Sequence, residues 1–348
     1  MSVSSDTTMP LVSVIMAVKN GGDLVKEAID SILIQSLTNF EFIIINDGST
    51  DETLRTLQAY RDPRILVVSQ ENQGLAKALN KGLMLARGKY IARQDHDDIS
   101  LPTRLEKQVQ YLEQHPSVGL LGTAAQIWSL TEATGRFHDH PSASGVLAFE
   151  LLFNNPFVHT SWMFPRKIIE TVGLYTTDPK REPPEDYEFV SRVVRAYKVA
   201  NLVERLVIYR ELKDSLSSQI RPNQAEQVRT FAARLALISA ENLSNVSGIA
   251  LEDRRVHNFG ALTHGYFEGL QGRIDFQEIA QLLRLAEKKL TQQYQDPLIA
   301  KCLRQQLIRL SYQCYAASDR SFLSKCQYFF FGSGYQYLYL KLKQKWLS

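Results

Sequence analysis

The sequence predicts an α/β fold in which a mostly parallel β-sheet is flanked by helices and followed by a helical C-terminal region. Strand-like and helix-like segments alternate four times in about the first 100 residues, which is the pattern of a parallel sheet. Residues 11–18 form a nearly continuous apolar run, as expected of a strand that is covered on both faces. Beyond about residue 220, helical spacing of apolar residues dominates.

Each early element has a local cause in the sequence. The first strand ends at a Lys-Asn-Gly-Gly turn (19–22), and a helix follows from about residue 23. The second strand, 40–45, runs into an Asn-Asp-Gly-Ser turn that leads to a helix N-terminus. The next expected elements are a strand at 64–69, a helix at 74–86, a strand at 89–92, a helix at 101–115, strands at 118–122 and 126–130, a loop at 135–144, a strand at 157–164, a short helix at 165–170, a helix that opens within 181–187 and runs to 199, and a strand at 202–209.

The change of pattern near residue 220 predicts two domains. Residues 1–220 form the sheet-containing domain, residues 221–348 form the helical region, and the boundary falls in 215–223. Helices of the second region are expected at 224–242, 251–270, 276–290 and 298–317. This region could serve as a homodimer surface, and the sequence leaves the oligomeric state open.

Composition and charge exclude several classes of protein. With 44% hydrophobic and 22% charged residues, the chain is of ordinary globular type, and its net charge of +3 is too small to predict a nucleic-acid partner. No apolar stretch approaches the roughly 18 residues that span a bilayer, and residues 1–9 lack the apolar core of a secretory signal. We therefore expect a cytoplasmic protein. Its three cysteines (Cys302, Cys314 and Cys326) fit no metal motif and are expected to be idle thiols.

The C-terminal stretch, 321–348, has a distinctive composition. It holds four lysines, no acidic residue and many aromatic residues. This combination suits peripheral contact with an anionic membrane surface on the inner face of the membrane. The alternative is a helix that packs on the body of the protein with its lysines in solvent.

Three aspartates directly after the fourth strand form the strongest candidate site. Asp95, Asp97 and Asp98 lie within four residues, so their charges repel one another unless a positive group lies among them. Mg²⁺ and Mn²⁺ prefer carboxylate oxygens and leave coordination positions open for the phosphates of a substrate. The alternative is an acidic turn in which Asp98 caps the following segment.

Other carboxylates follow strand ends or open a helix. Asp47 could accept a hydrogen bond from a nucleotide base, and Asp186 could take the proton of an attacking hydroxyl. A simple capping role in the positive N-terminal turn of the helix is an alternative for Asp186. The dinucleotide-binding, P-loop and hydrolase-elbow signatures are all missing from the sequence, which weakens those readings.

The order of these motifs resembles the family-2 glycosyltransferases, which have the GT-A fold with its Rossmann-like sheet. The resemblance covers about residues 10–218 and rests on residues 12–16, Asn46-Asp47-Gly48-Ser49, Gln73-Gly74 with Asn80, Asp95-x-Asp97-Asp98 and Glu185-Asp186. It implies an inverting hexosyl transfer from a nucleotide-diphospho-sugar, with a UDP-sugar favoured, to an acceptor hydroxyl. It also implies Mn²⁺ or Mg²⁺ and a glycan or lipid-linked acceptor of cell-surface polysaccharide synthesis.

The resemblance also implies roles for single residues. Asp186 matches the catalytic base, with Glu185 orienting it. Asp95 and Asp97 match the Asp-x-Asp metal and diphosphate motif, and Asp98 is the third expected metal ligand. The expected donor-binding residues are Ala17, Val18, Asn20, Asp47, Gly74, Asn80, Asp95 and Arg210.

The chain departs from the family pattern at two places. Asn46 replaces the first of two aspartates, and no histidine follows Tyr209-Arg210, so Arg210 or Lys213 is the substitute contact. His159 matches a histidine that could line the acceptor side or make a structural hydrogen bond. Two rival functions stay open: a sugar nucleotidyltransferase and a non-catalytic nucleotide-sugar-binding protein.

Overall fold

The structure is a computed structural model that describes residues 9–212 and 225–317. The basic aromatic stretch 321–348, Cys326, the candidate contact Lys213 and the whole expected boundary segment 215–223 lie outside the described residues. Within the described residues, no helix is both long enough and apolar enough to cross a membrane. Cys302 and Cys314 carry free thiols.

The described chain divides into two compact units. The first contains the chain up to residue 140 together with 157–177 and 192–212. The second contains 141–156, 178–191 and the described helices from residue 225 onward. Two segments that precede residue 220 therefore belong to the unit of the C-terminal helices.

A mixed, mostly parallel sheet forms the first unit. Its strands are, in chain order, β1 (Val12–Val18), β2 (Phe40–Asp47), β3 (Ile65–Gln70), β4 (Tyr90–Arg93), β5 (Ile99–Ser100), β6 (Val118–Trp128), β7 (Ala133–His138), β8 (Met163–Pro165) and β9 (Lys198–Arg210). The order across the sheet is β3-β2-β1-β4-β8-β6-β9-β5, with β7 paired to β6. Strands β1 to β4 run parallel, as do β6 and β9, whereas β5, β7 and β8 pair in the antiparallel sense. The predicted α/β fold class is confirmed.

The helices follow the predicted alternation. They are α1 (Leu24–Leu33), α2 (Thr53–Ala59), α3 (Leu75–Leu85), α4 (Arg104–Gln114), α5 (Ser144–Glu150), α6 (Ile168–Val172), α7 (Glu185–Ala196), α8 (Ala225–Ser247), α9 (Arg254–Thr263), α10 (Phe276–Tyr294) and α11 (Leu298–Ala316). Short 3₁₀ turns occupy His159–Ser161 and Phe267–Gly269. The predicted helical C-terminal region is confirmed by α8 to α11.

Alternate residues of β1 build the core on the two faces of the sheet. Val14 packs in one buried cluster with Ile29 of α1 and Leu105 of α4. Ile15 points to the opposite face, where a Cβ atom on Gly82 of α3 would lie 2.5 Å from its Cγ2 atom. A side chain at position 82 would therefore push α3 off the sheet. Burying one large aliphatic side chain stabilises a fold by roughly 1.5–3 kcal/mol, so this double layer holds the strand ends in place.

Three local expectations were wrong. The strands expected at 118–122 and 126–130 are one continuous strand, β6, which pairs with β9 along its length. The loop expected at 135–144 contains most of β7, a polar edge strand whose backbone pairs with β6. The segment 157–164 is largely a 3₁₀ turn followed by β8. For β6 and β8, backbone pairing with strands distant in the sequence decided the structure, and β7 pairs with the preceding strand through a short hairpin. Local side-chain patterns report such pairing poorly.

Buried hydrogen bonds attach α8 to the start of α7 within the second unit. The Asn242 side chain donates to the Leu151 carbonyl at 2.7 Å and to Ser191 Oγ at 2.8 Å. The Tyr187 hydroxyl also donates to the Leu151 carbonyl, at 2.8 Å, and lies 3.0 Å from Ser239 Oγ. The C-terminal helices are therefore bound to α7 by specific polar contacts as well as by apolar packing.

The network gives a stability prediction. Replacing Asn242 by Ala removes donors to two buried acceptors, and we expect the free energy of unfolding to fall by about 1–3 kcal/mol. Asn245→Ala, at an exposed position of the same helix, serves as the matched control and should cost about 0.5 kcal/mol or less. Urea denaturation of the two variants measures both values. Equal losses would show that the Asn242 contacts contribute nothing specific.

Candidate functional site

The loops that follow β1 and β2 are hydrogen-bonded to each other. Asn20 donates its backbone N–H to Ser49 Oγ at 3.0 Å, and its Oδ1 atom accepts from the Thr50 N–H at 2.8 Å. The Gly21 N–H donates to Thr53 Oγ1 at 2.8 Å. Asn20 adopts a left-handed backbone with φ of 54°, a conformation that asparagine tolerates better than most residues. These bonds hold two strand-end loops in one arrangement.

Asp47 at the end of β2 organises the loop that follows β3. Its carboxylate accepts hydrogen bonds from Gln70 Nε2 at 2.8 Å and from the N–H groups of Gln73 and Gly74, both at 2.9 Å. Asp47 is 4% exposed, and Gly74 needs the positive φ of 93° that glycine adopts readily. The structure thus shows Asp47 as the anchor of this loop, and its contact with a nucleotide base stays a prediction.

The first aspartate after β4 has a positive neighbour on its own strand. Arg93, which is buried, forms an ion pair with Asp95. The Asp95 N–H donates to Thr160 Oγ1 at 2.9 Å. Burial opposes ionisation of Asp95, but the Arg93 charge and hydrogen bond outweigh it, so the pKa of Asp95 lies below its ordinary value. Asp95 is therefore ionised and held in place.

The next two aspartates carry negative charge that is less well compensated. Burial, and then the nearby Asp95 carboxylate, raise the pKa of Asp97. Burial, followed by the charges of Asp97 and Asp95, raises the pKa of Asp98 well above its usual range. Asp98 Oδ1 accepts a hydrogen bond from the Arg210 N–H at 2.8 Å, and Arg210 Nη1 donates to the Asp97 carbonyl at 3.0 Å. The second Nη of Arg210 donates to Glu27 Oε2 at 2.6 Å, so the end of β9 is bonded both to α1 and to residues 95–98, called here the aspartate loop.

This donor set fits a hard divalent cation. The Asp97 carboxylate is partly exposed and accepts no hydrogen bond from the side chain or backbone of another described residue. Within the described ranges, no group of three or more His, Cys, Asp or Glu side chains is arranged to hold a metal ion alone. Proteins commonly bind Mg²⁺ through one or two carboxylates and leave the other positions to water and substrate phosphates. Asp95 and Asp97 match that partial shell.

A buried arginine that sequence reasoning missed donates hydrogen bonds to residues on either side of the aspartate loop. Arg104 of α4 is fully buried and donates to the Arg93 carbonyl at 2.6 Å, to Ser100 Oγ at 2.6 Å and to Gln94 Oε1 at 3.1 Å. An arginine in an amphipathic helix is usually solvated, so its pattern predicts a surface position. The available signal is its place next to Leu105, at the start of the apolar stripe of α4.

His159 and Asn80 belong to one linked group in the first unit. His159 Nε2 lies 2.9 Å from the Tyr175 hydroxyl, and its ring contacts Trp162 edge to face, with centroids 4.6 Å apart. Burial, and then the Arg93 charge, lowers the pKa of His159 to about 3, so the imidazole is neutral. Asn80 donates to the Tyr175 carbonyl and accepts from the Tyr175 N–H, both at 2.9 Å. The structural hydrogen bond considered for His159 is present, and the acceptor-side and donor-binding roles of the two residues stay predictions.

The second unit presents Asp186 in the first turn of α7. Its Oδ1 atom accepts from the Tyr187 N–H at 2.7 Å, and its Oδ2 atom accepts from Asn155 Nδ2 at 2.8 Å. Glu185 beside it is buried. Sequence reasoning missed Asn155, although the residue stands directly before a proline in a short polar stretch.

The segment before α7 is held by α8. Arg181 forms ion pairs with Asp178 and with Glu241 of α8, and Arg234 of α8 donates to the Pro179 carbonyl at 2.8 Å. The segment that precedes Asp186 in the chain is therefore bonded to α8 within this unit.

Parallel pairing of β1, β2 and β4 brings most predicted residues to one edge of the sheet. The predicted residues at the ends of these strands, in the loops that follow or at the end of β9 are Ala17, Val18, Asn20, Asp47, Gly74, Asp95, Asp97, Asp98 and Arg210. Ala17 and Val18 are buried in β1. Glu185 and Asp186 belong to the second unit.

Comparison with known proteins identifies the family. The model of Glycosyl transferase family 2 matches residues 13–173. An uncharacterized glycosyltransferase of Haemophilus influenzae is 36% identical over 231 residues, which cover 63% of this chain and 71% of the relative. The chain belongs to glycosyltransferase family 2.

A second relative and a solved structure are also similar to this glycosyltransferase. The amylovoran biosynthesis glycosyltransferase AmsE of Erwinia amylovora is 31% identical over 217 residues, or 61% of this chain and 80% of AmsE. The crystal structure of S. aureus TarS 1–349 in complex with UDP-GlcNAc superposes with a TM-score of 0.55, at 17% identity, over 84% of this chain and 91% of TarS 1–349. That likeness supports the GT-A fold of this glycosyltransferase.

The raised pKa values of Asp97 and Asp98 give a prediction for metal binding by this glycosyltransferase. A cation needs the ionised Asp97 carboxylate, whose pKa is raised, so we expect Mn²⁺ affinity to weaken as pH falls and to begin weakening at a higher pH than an ordinary aspartate would cause. Isothermal titration of Mn²⁺ at several pH values measures this dependence. Asp97→Asn should weaken Mn²⁺ binding, whereas Asp139→Asn, at an exposed ion pair with Arg205, should not change it. Mn²⁺ binding that is independent of pH would contradict the assignment.

Proposed function

We propose that this family-2 member is an inverting hexosyltransferase that moves a sugar from a nucleotide-diphospho-sugar, with a UDP-sugar favoured, to an acceptor hydroxyl. The observation that carries the proposal is that Asp95 and Asp97 lie at the same sheet edge as Asp47. That edge is where parallel α/β sheets bind nucleotides.

The proposal assigns donor binding to residues at this sheet edge. The loops after β1, β2 and β3 are hydrogen-bonded to one another, and the nucleotide is proposed to bind there. Little conformational entropy of these loops would then be lost on binding. Arg210, which is hydrogen-bonded to Asp97 and Asp98, is proposed to contact the diphosphate. Asp95 and Asp97 would hold the Mg²⁺ or Mn²⁺, which supplies charge neutralisation for the departing diphosphate when bound.

The proposed base is Asp186. A single in-line displacement inverts the anomeric carbon and needs one carboxylate, because no covalent intermediate forms. Asp186 would accept the proton of the attacking hydroxyl as the new glycosidic bond forms. The hydrogen bonds from the Tyr187 N–H and Asn155 favour its ionised form, which is the form a base requires. Glu185 is proposed to support the orientation of this turn.

The acceptor is proposed to be a glycan or a lipid-linked glycan of a cell-surface polysaccharide. AmsE, with which this chain shares 31% identity, is named for biosynthesis of the polysaccharide amylovoran. A neutral His159 is compatible with contact to a sugar hydroxyl on the acceptor side.

Asp186→Asn tests the base. The variant keeps the shape of the side chain but cannot take a proton, so transfer should fall by about 10²–10⁴-fold while donor binding is retained. Asp253→Asn is a matched control, because Asp253 also opens a helix and asparagine caps as well as aspartate. Wild-type turnover by Asp186→Asn would remove this residue as the base.

The donor is identified by nucleotide release from a panel of UDP-, GDP- and dTDP-sugars, with Mn²⁺ or with EDTA. We expect release from one donor, dependent on the metal, because the carboxylates of the aspartate loop need a cation to accept a diphosphate. Release that is unaffected by EDTA would contradict the metal assignment. Consumption of a nucleoside triphosphate with a sugar phosphate would contradict sugar transfer altogether.

A further inference from the structure

Asn155 is placed to contact the proposed base from a restricted backbone position. It lies between α5 and the 3₁₀ turn and is followed by Pro156, which confines the preceding residue to extended conformations. From there its Nδ2 atom donates to Asp186 Oδ2 at 2.8 Å. This distance is typical of a hydrogen bond to an ionised carboxylate.

The orientation of the Asn155 amide has one identifiable cause. Its Oδ1 atom is buried and has no hydrogen-bond partner among the described residues. A buried acceptor without a partner usually costs about 1–3 kcal/mol, and an unsatisfied group of this kind calls for an explanation. Only the amide N–H₂ can face the acceptor-only Asp186 carboxylate, so the contact with Asp186 sets the orientation and leaves the oxygen unpaired.

A second bond makes the contact rigid. The Tyr187 hydroxyl donates to the Leu151 carbonyl at 2.8 Å, so the segment 151–155 is joined to residues 186 and 187 at two points. The other Asp186 oxygen accepts from the Tyr187 N–H. Both carboxylate oxygens therefore have a donor, which fixes the rotation of the carboxylate about its Cβ–Cγ bond.

We propose that Asn155 is a positioning residue that holds the Asp186 carboxylate ionised and in the orientation that receives the acceptor proton. The inference rests on the proposed function of Asp186 as the base. Asn155 itself acts through Asp186 and takes no part in donor binding. Misplacement of a catalytic group by about 1 Å can cost about 100-fold in rate, so the effect belongs in kcat.

The test compares three variants on the full chain, with the donor that the release panel identifies. Asn155→Ala removes the side chain, and Asn155→Asp keeps its shape but replaces the donor by a repelling carboxylate. Asn154→Ala, at the exposed neighbouring asparagine, is the control. We expect both Asn155 variants to lose about 10- to 100-fold in kcat, with donor KM within about twofold of wild type, and the control to be unchanged.

The outcomes separate this inference from the proposed function. Wild-type kcat for Asn155→Asp would show that only the shape of the side chain matters and would overturn the proposal. A rise in donor KM equal to the fall in kcat would do the same, because it would indicate a general structural role. If Asp186→Asn is inactive while the Asn155 variants turn over normally, the positioning role fails and the base stands. If Asp186→Asn is fully active, both fail.

Discussion

The rest of the first unit depends on the compensation of negative charge at the end of β4. Asp95, Asp97 and Asp98 are crowded into one turn, and water reaches them only in part. Three buried arginines from different elements serve this turn: Arg93 from β4, Arg104 from α4 and Arg210 from β9. Each donates to a carboxylate or to a backbone carbonyl of the turn or of the strand end that enters it. Buried charges are stable only when they are paired and hydrogen-bonded, so the fold must bring these arginines together.

The negative charge of the same turn is only partly neutralised, which is consistent with the metal-binding role proposed for it. Arg93 compensates the charge of Asp95 by an ion pair, but the Asp97 carboxylate has open lone pairs and a raised pKa. The proposed cation would compensate the remaining negative charge. The loops at the neighbouring strand ends are joined by hydrogen bonds to Asn20 and Asp47. The resulting edge is negatively charged, which agrees with the proposed binding of a diphosphate through a metal ion.

In the second unit, hydrogen bonds hold one carboxylate, that of Asp186, in the first turn of a helix. Asp186 receives hydrogen bonds from its own turn and from Asn155. The helix behind it is secured by Tyr187, Ser239 and Asn242 in a buried polar network. Fully satisfied networks of this kind rigidify the elements they join. The C-terminal helices therefore contribute to the setting of Asp186 and are more than an appended region.

By itself, the sequence determined the alternation of strands and helices, the helical second region and the clustering of polar turns at one sheet edge. These features depend on side-chain periodicity and on Gly, Asn and Asp at turns, which act over a few residues. Asp47, Asp95, Asp97 and Asp186 could be singled out for the same reason. Only the tertiary structure decided the continuous β6 strand, the edge strand β7, the burial of Arg104 and the bond from Asn155 to Asp186. Each of these depends on which backbone pairs with which or on which face of an element is covered, and the local pattern of side chains carries little information about such partners.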